Sequence, residues 1–211
     1  AENTSLGQLD LGELVTGYAQ TKWVAERLVW AAAACGMHAA VYRPGNLGGD
    51  SATGAYNPSD ANTLLLAACA RLGLAPAVEG WRFESTPVDF AAAAVVGLAA
   101  TDASYGRAYH LADGNPVAAE EVLAELAAAG WEAKRVPKEE WLAALRTRAG
   151  ELGSLAVTAQ ALASDDEVWS PVRFDTQGFD AATKELGLAR PPLDAALIGR
   201  YLKRMQACGL V

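Results

Sequence analysis

Tyr18 and Lys22 stand four residues apart in Gly17-Tyr18-Ala19-Gln20-Thr21-Lys22, a spacing that puts both side chains on one helix face with Cβ atoms about 5–6 Å apart. A phenol with an ordinary pKa of about 10 is a poor acid–base group at neutral pH, and a neighbouring cation favours its phenolate. Such a pair can give a proton to a carbonyl oxygen while hydride arrives at the carbon, with Lys22 near the phenol oxygen or bridged to it by a ribose hydroxyl. The spacing alone is also that of a Tyr at the edge of a core beside a solvated Lys. Other candidates carry less. His38 and His110 are the only histidines, and neither has a Cys or carboxylate at ligand spacing, so no metal site is predicted. Asp89 follows Pro87-Val88 ahead of an apolar run and reads as a helix N-cap in preference to a substrate contact.

These residues need elements to hold them. Residues 18–35 carry Trp23, Val24, Leu28 and Ala31 at helical spacing without Pro or Gly, and Gly36 supplies a stop. Residues 39–43 form a short apolar and β-branched run ended by Pro44-Gly45, which predicts a buried strand delivering its carboxyl end to a loop. The loop over 44–60 holds Gly45, Gly48, Gly49 and Gly54 with Asn46 and Asn57, and is expected to reach positive φ and approach a ligand closely. Further on, helices are expected over 62–72 and 90–100, the latter buried on most sides, with an extended segment at 85–89. Past Ala103 the texture changes, to strands at 107–111 and 132–136 and helices at 118–130, 137–148, 176–186 and 193–208. Residues 164–170 read as an acidic loop. The fold class is α/β, with a core over 1–103 and a smaller, mostly helical subdomain over 104–211.

Composition sets the bounds. Of 211 residues 46 are Ala and 26 Leu, with 52% hydrophobic and 20% charged, which excludes disordered and collagen-like classes and favours helix over strand. A net charge of -8 repels a phosphate backbone, so nucleic acid is not an expected partner. Apolar runs at 28–37 and 90–100 fall short of the ~18 residues of a bilayer span. Residues 1–10 lack the features of a signal peptide, which predicts a cytoplasmic protein, and Cys35, Cys69 and Cys208 read as reduced thiols. Trp23 and Trp30 read as core in preference to acyl-binding, whereas Trp131, Trp141 and Trp169 either line a channel or fill the subdomain. Arg146, Arg148, Arg200, Lys203 and Arg204 make basic spots on an acidic chain, either a solvated face or a docking site for an acidic partner.

The order of a Tyr-x-x-x-Lys helix and then a strand ending Tyr42-Arg43-Pro44-Gly45-Asn46-Leu47-Gly48-Gly49 resembles the extended short-chain dehydrogenase/reductase family. More narrowly, the stretch Gly17–Glu26, Tyr42–Gly45, Thr53-Gly54, Asn57-x-x-Asp60 and Pro87-Val88-Asp89-Phe90 resemble the terminal thioester reductase domains of nonribosomal peptide and polyketide synthases, relatives of carboxylic acid reductases. The resemblance covers residues 17–100 well and the remainder loosely. It implies the C-terminal part of a Rossmann-like, doubly wound parallel sheet and NADPH-dependent reduction of an acyl or peptidyl thioester to an aldehyde or alcohol. The implied partner is a carrier domain bearing the substrate on phosphopantetheine, whose arm residues 104–211 would receive. By the same resemblance Tyr18 is the proton donor, Lys22 the ribose-binding lysine, and Pro44, Gly45, Asn46 and Leu47 line the nicotinamide pocket. Two features of the family are not matched. No glycine-rich strand–turn–helix precedes Tyr18, and Gly45–Gly49 follows a strand without opening a helix. The Ser or Thr that orients the carbonyl has only Thr4 and Ser5 as nearby candidates, in a loop setting. The expectation is therefore the C-terminal portion of a reductase domain that by itself neither holds NADPH nor turns over. The alternatives are another extended short-chain reductase or nucleotide-sugar epimerase, and a non-catalytic carrier-docking module.

Overall fold

The computed structural model describes residues 2, 16–163, 169 and 173–211. Helix α1 (Gly17–Ala34) opens at Thr16, whose hydroxyl oxygen accepts the Ala19 N–H at 3.2 Å, a capping role that favours short polar side chains. The chain turns at Gly36 with φ of 95° and returns as β1 (Val41–Pro44), which pairs in parallel with β6 (Ala108–Leu111) from Val41↔Ala108 to Pro44↔Leu111. Three more short pairs follow the same economy of length. Parallel pairs join β2 (Leu47–Gly48) to β5 (Thr86–Pro87) and β3 (Leu74–Ala77) to β8 (Lys134–Pro137), while β4 (Arg82–Phe83) runs antiparallel to β7 (Val117–Ala118). Between and after them lie α2 (Ala61–Leu72), α3 (Val88–Ala99), α4 (Ala119–Ala128), α5 (Lys138–Thr147), α6 (Ala149–Leu152), α7 (Ser154–Ala163), α8 (Gln177–Glu185) and α9 (Ala195–Ala207). The α/β class expected from the sequence is the class observed. Elements β2, β3, β4, β7, α6 and α7 are not expected from the sequence, because strands of two to four residues leave little alternation to detect and Gly150 and Gly153 interrupt any helical pattern at the start of residues 149–163.

Two apolar clusters form the core, and each draws on both sides of residue 103. The larger gathers Leu65 and its neighbours on α2 with Leu126, Trp141, Leu145, Ile198 and Leu202 from the later helices. Helix α2 is set by its ends: the Asp60 carboxylate accepts the Thr63 N–H at 2.7 Å, and Gly73 closes it in the left-handed region at φ of 65°. The smaller cluster packs Phe90, Ala94 and Leu98 of α3 on Tyr109 and Leu111 of β6 and Phe179 of α8. Trp141 and Trp169 belong to the larger core, not to an open channel. Trp141 is fully buried with its ring N–H donated to the Leu74 carbonyl at 3.0 Å, and Trp169 packs edge-on to both Trp81 and Trp141. Trp131 is half-buried against that core, and Trp23 and Trp30 are half-buried on α1, outside both clusters.

Helix α3 departs from expectation. Only one face is buried, and Val96 is 72% exposed, since among the described residues β6 and α8 cover a single side of it. Unfolding should separate these environments. Leu65→Ala is expected to cost about 2–5 kcal/mol by leaving a cavity and Val96→Ala within about 0.5 kcal/mol of zero, read from urea midpoints of the two variants.

Candidate active site

Along α1 the i, i+4 spacing places Tyr18, Lys22, Glu26 and Trp30 in one stripe. The Lys22 ammonium lies 5.3 Å from the centroid of the Tyr18 ring, and Tyr18 is 74% exposed. Glu26, 9% exposed, is the one buried residue of α1. Its carboxylate accepts the Trp30 ring N–H at 2.9 Å and a fork from Arg43 on β1, Nε at 3.0 Å and Nη2 at 2.6 Å. Burial works to raise the Glu26 pKa, yet the hydrogen bonds from Arg43 and Trp30 and the Arg43 charge prevail and hold it below the usual carboxylate value. The third arm of Arg43, Nη1, meets His110 Nε2 at 3.2 Å and the Glu2 carbonyl at 3.3 Å. A guanidinium only donates, so Nε2 accepts and the imidazole proton sits on Nδ1, which donates to the Asp175 carbonyl at 2.9 Å. The Glu2 carboxylate accepts the His110 N–H at 2.9 Å and, at the start of α8, the Gly178 and Phe179 N–H groups at 2.6 and 3.1 Å, where the helix dipole favours an anion.

A second buried carboxylate shapes the loop after β1. Glu84, 5% exposed, accepts the N–H groups of Asn46 and Asp113 and the Thr86 hydroxyl, the last two at 3.0 Å. Arg190 donates to the Thr86 hydroxyl oxygen and to the Ala112 carbonyl, and its guanidinium lies 5.2 Å from the Phe90 ring centroid. Burial pushes the Glu84 pKa above its usual range against the pull of those donors and of Arg190. Asp89 is not the N-cap of α3: it lies within the first turn and instead holds the loop, accepting the Ser51 N–H at 2.8 Å and its hydroxyl at 2.6 Å. The glycines of 44–60 approach the chain itself. A Cβ at Gly45 would come within 2.7 Å of Glu84, one at Gly48 within 2.4 Å of the Ser85 hydroxyl, and one at Gly49 within 2.8 Å of the Tyr201 ring. Of these loop glycines only Gly54 has positive φ, at 72°.

An open cleft of about 500 Å³ runs between α1 and β1, bordered by Tyr18, Lys22, Glu26, Arg43 and Pro44. The structure thus brings Tyr18, Lys22 and Pro44 together. Gly45, Asn46 and Leu47 do not line the cleft: Gly45 and Asn46 are held by the Leu111 carbonyl and Glu84, and Leu47 pairs with Thr86 and packs on the smaller core. Thr4 and Ser5, and the acidic loop apart from Trp169, lie outside the described residues. No role for Glu26, Arg43 or Glu84 is read from the sequence alone. For Glu26 a signal exists, four residues beyond Lys22 on the same stripe, but its partner is 17 residues away in the chain; nothing local marks Glu84. Among the described residues no group of three or more His, Cys, Asp or Glu is placed to hold a metal, and no helix is long and apolar enough to cross a membrane.

Two outcomes follow for stability. Because folding lowers the Glu26 pKa, its contribution is present above the unfolded value of about 4.5 and is lost as pH falls through the lower folded value; the urea-midpoint gap between wild type and Glu26→Gln should be widest near neutrality and close in acid. Gly45→Ala forces Glu84 or Ala112 to shift and is expected to cost about 1–3 kcal/mol in the same assay.

The male sterility protein family, an NAD-binding family, matches residues 4–95. Over 99% of its length the chain is 33% identical to glycine betaine reductase ATRR of Emericella nidulans, covering 17% of that protein. Over 92% it is 33% identical to the non-canonical nonribosomal peptide synthetase FrzA of a Cladobotryum species, covering 20% of it. The crystal structure of the terminal R domain from the myxalamid PKS-NRPS biosynthetic pathway superposes with a TM-score of 0.85 at 33% identity, over all of this chain and 54% of that one. The chain therefore spans about half of the R-domain structure and a small part of these longer relatives. With the Tyr18–Lys22 helix leading into a strand of a parallel pair, residues 4–95 match the NAD-binding male sterility protein family, and the chain as a whole is similar to the terminal R domains of nonribosomal peptide and polyketide synthase pathways.

Proposed function

We propose that this chain supplies the proton-donating part of an NADPH-dependent reductase that releases a carrier-bound acyl or peptidyl thioester as an aldehyde or alcohol. The observation that carries the reading is the Lys22 ammonium set against the Tyr18 ring at the border of the α1–β1 cleft. An exposed phenol and an ammonium are the donor set that ribose hydroxyls and a carbonyl oxygen require. The residues fit the nicotinamide–ribose end of the cofactor, whereas no glycine-rich strand–turn–helix for its pyrophosphate occurs among the described residues.

The reduced nicotinamide, when bound, supplies the hydride. Tyr18 gives its proton to the thioester carbonyl oxygen, and Lys22 stabilises the phenolate left behind while binding the ribose. Collapse of the reduced carbon centre then breaks its bond to sulfur and frees the pantetheine thiol and an aldehyde. Arg43 and Pro44 wall the cleft on the β1 side. Residues 104–211 receive the pantetheine arm, and Arg200, Lys203 and Arg204, exposed on α9, meet an acidic carrier face.

In the full-length protein Tyr18→Phe is expected to lower kcat by about 10²–10⁴-fold with NADPH affinity nearly intact; wild-type turnover in that variant would reject the assignment. Lys22→Ala should weaken both NADPH binding and rate, and an unchanged NADPH Kd would exclude the ribose contact. Steady-state assays with pantetheine-linked acyl thioesters and with nucleotide sugars distinguish this reading from an epimerase, which turnover of the sugars alone would favour.

A further inference from the structure

Helix α1, which carries the proposed reactive groups, is joined to β1 by a buried polar contact. Glu26 is the one side chain of α1 that is buried among the described residues. Hydrophobic contact is non-directional. The Arg43 fork on Glu26 is directional, since two N–H···O bonds in one plane fix distance and rotation together. Glu26 is braced from its own helix by Trp30, and Arg43 from β6 by His110, so neither end of the fork is loose.

From this geometry we infer that Glu26 and Arg43 are positioning residues, which set the place of Tyr18 and Lys22 over the carboxyl end of β1. The inference rests on the proposed roles of Tyr18 and Lys22. Eight residues at 1.5 Å each put Tyr18 roughly 12 Å along the axis from Glu26, so a tilt of about 10° at the fork moves the phenol by about 2 Å. Catalytic groups must stay within roughly 0.5 Å of productive geometry. The pair therefore acts at a distance from the reacting atoms, through the orientation of α1, and Arg43 is committed to Glu26 despite bordering the cleft.

The test uses the full-length protein carrying Glu26→Ala, Arg43→Ala, Tyr18→Phe and Tyr18→Phe/Glu26→Ala, with Glu26→Gln as the milder variant should Glu26→Ala fail to fold. Glu26→Ala and Arg43→Ala are expected to lower kcat about 10- to 100-fold and to move the pH–rate limb belonging to the phenol, which a loss of folded protein alone would leave in place. Glu26→Gln, keeping one acceptor oxygen but losing the second acceptor and the charge, should fall between wild type and Glu26→Ala. Since Glu26 acts through Tyr18, adding Glu26→Ala to Tyr18→Phe should cost little more. A wild-type rate and pH profile in Glu26→Ala, or the same fractional loss in both backgrounds, overturns the inference. If Tyr18→Phe turns over normally, the proposed function falls and hydrogen exchange decides this point separately. Faster exchange confined to α1 amides in Glu26→Ala would uphold the positioning role, and wild-type exchange there would refute it.

Discussion

A carboxylate and a guanidinium, Glu26 and Arg43, join the helix that carries Tyr18 and Lys22 to the strand that ends in Pro44. Burying such a pair is costly when its hydrogen bonds are incomplete, and here they are well supplied: Glu26 takes three donors and Arg43 reaches Glu26, His110 and the Glu2 carbonyl. The arrangement also selects the His110 tautomer and links α1, β1, β6 and the backbone at Asp175 into one polar chain. It supplies direction, since two coplanar N–H···O bonds fix rotation as well as distance.

The same device recurs wherever a loop must be held. Glu84 gathers the backbone at Asn46 and Asp113, beyond the carboxyl ends of β1 and β6, with one side chain. Asp89 fastens Ser51, and Glu2 closes the start of α8. Strand pairs of two to four residues cannot fix long connections through ladder bonds alone, and buried N–H groups need acceptors. Carboxylates placed among them answer both needs. Gly45 follows from this: Glu84 stands where a Cβ would project.

The two apolar clusters divide the labour. The larger one, built on α2, α4, α5, α7 and α9, stabilises the helical mass without touching the Tyr18–Lys22 cleft. The smaller one sits beneath β1 and β6 and supports the edge where the cleft lies. Tyr201 connects the halves by donating its hydroxyl to the Gly49 carbonyl at 2.8 Å, so α9 bears on the loop that follows β2.

Much of this was legible in the residues. Local signals, a Tyr and Lys four apart and Gly36 as a stop, place helix α1 and put two reactive groups on one face, because these depend on neighbours within about a turn. The helix–strand order around Tyr42–Gly49 carried the family resemblance. Local signals stop there, and Asp89 shows why: its position suggests a cap, whereas its carboxylate is spent on a loop 38 residues earlier. The apolar run of α3 likewise reads as buried on most sides, while the described neighbours that fold against it cover one side. Which carboxylate meets which guanidinium, how α1 is rolled over β1, and why Gly45 must lack a side chain were settled only in three dimensions, since each depends on groups that are distant in the chain and become neighbours on folding.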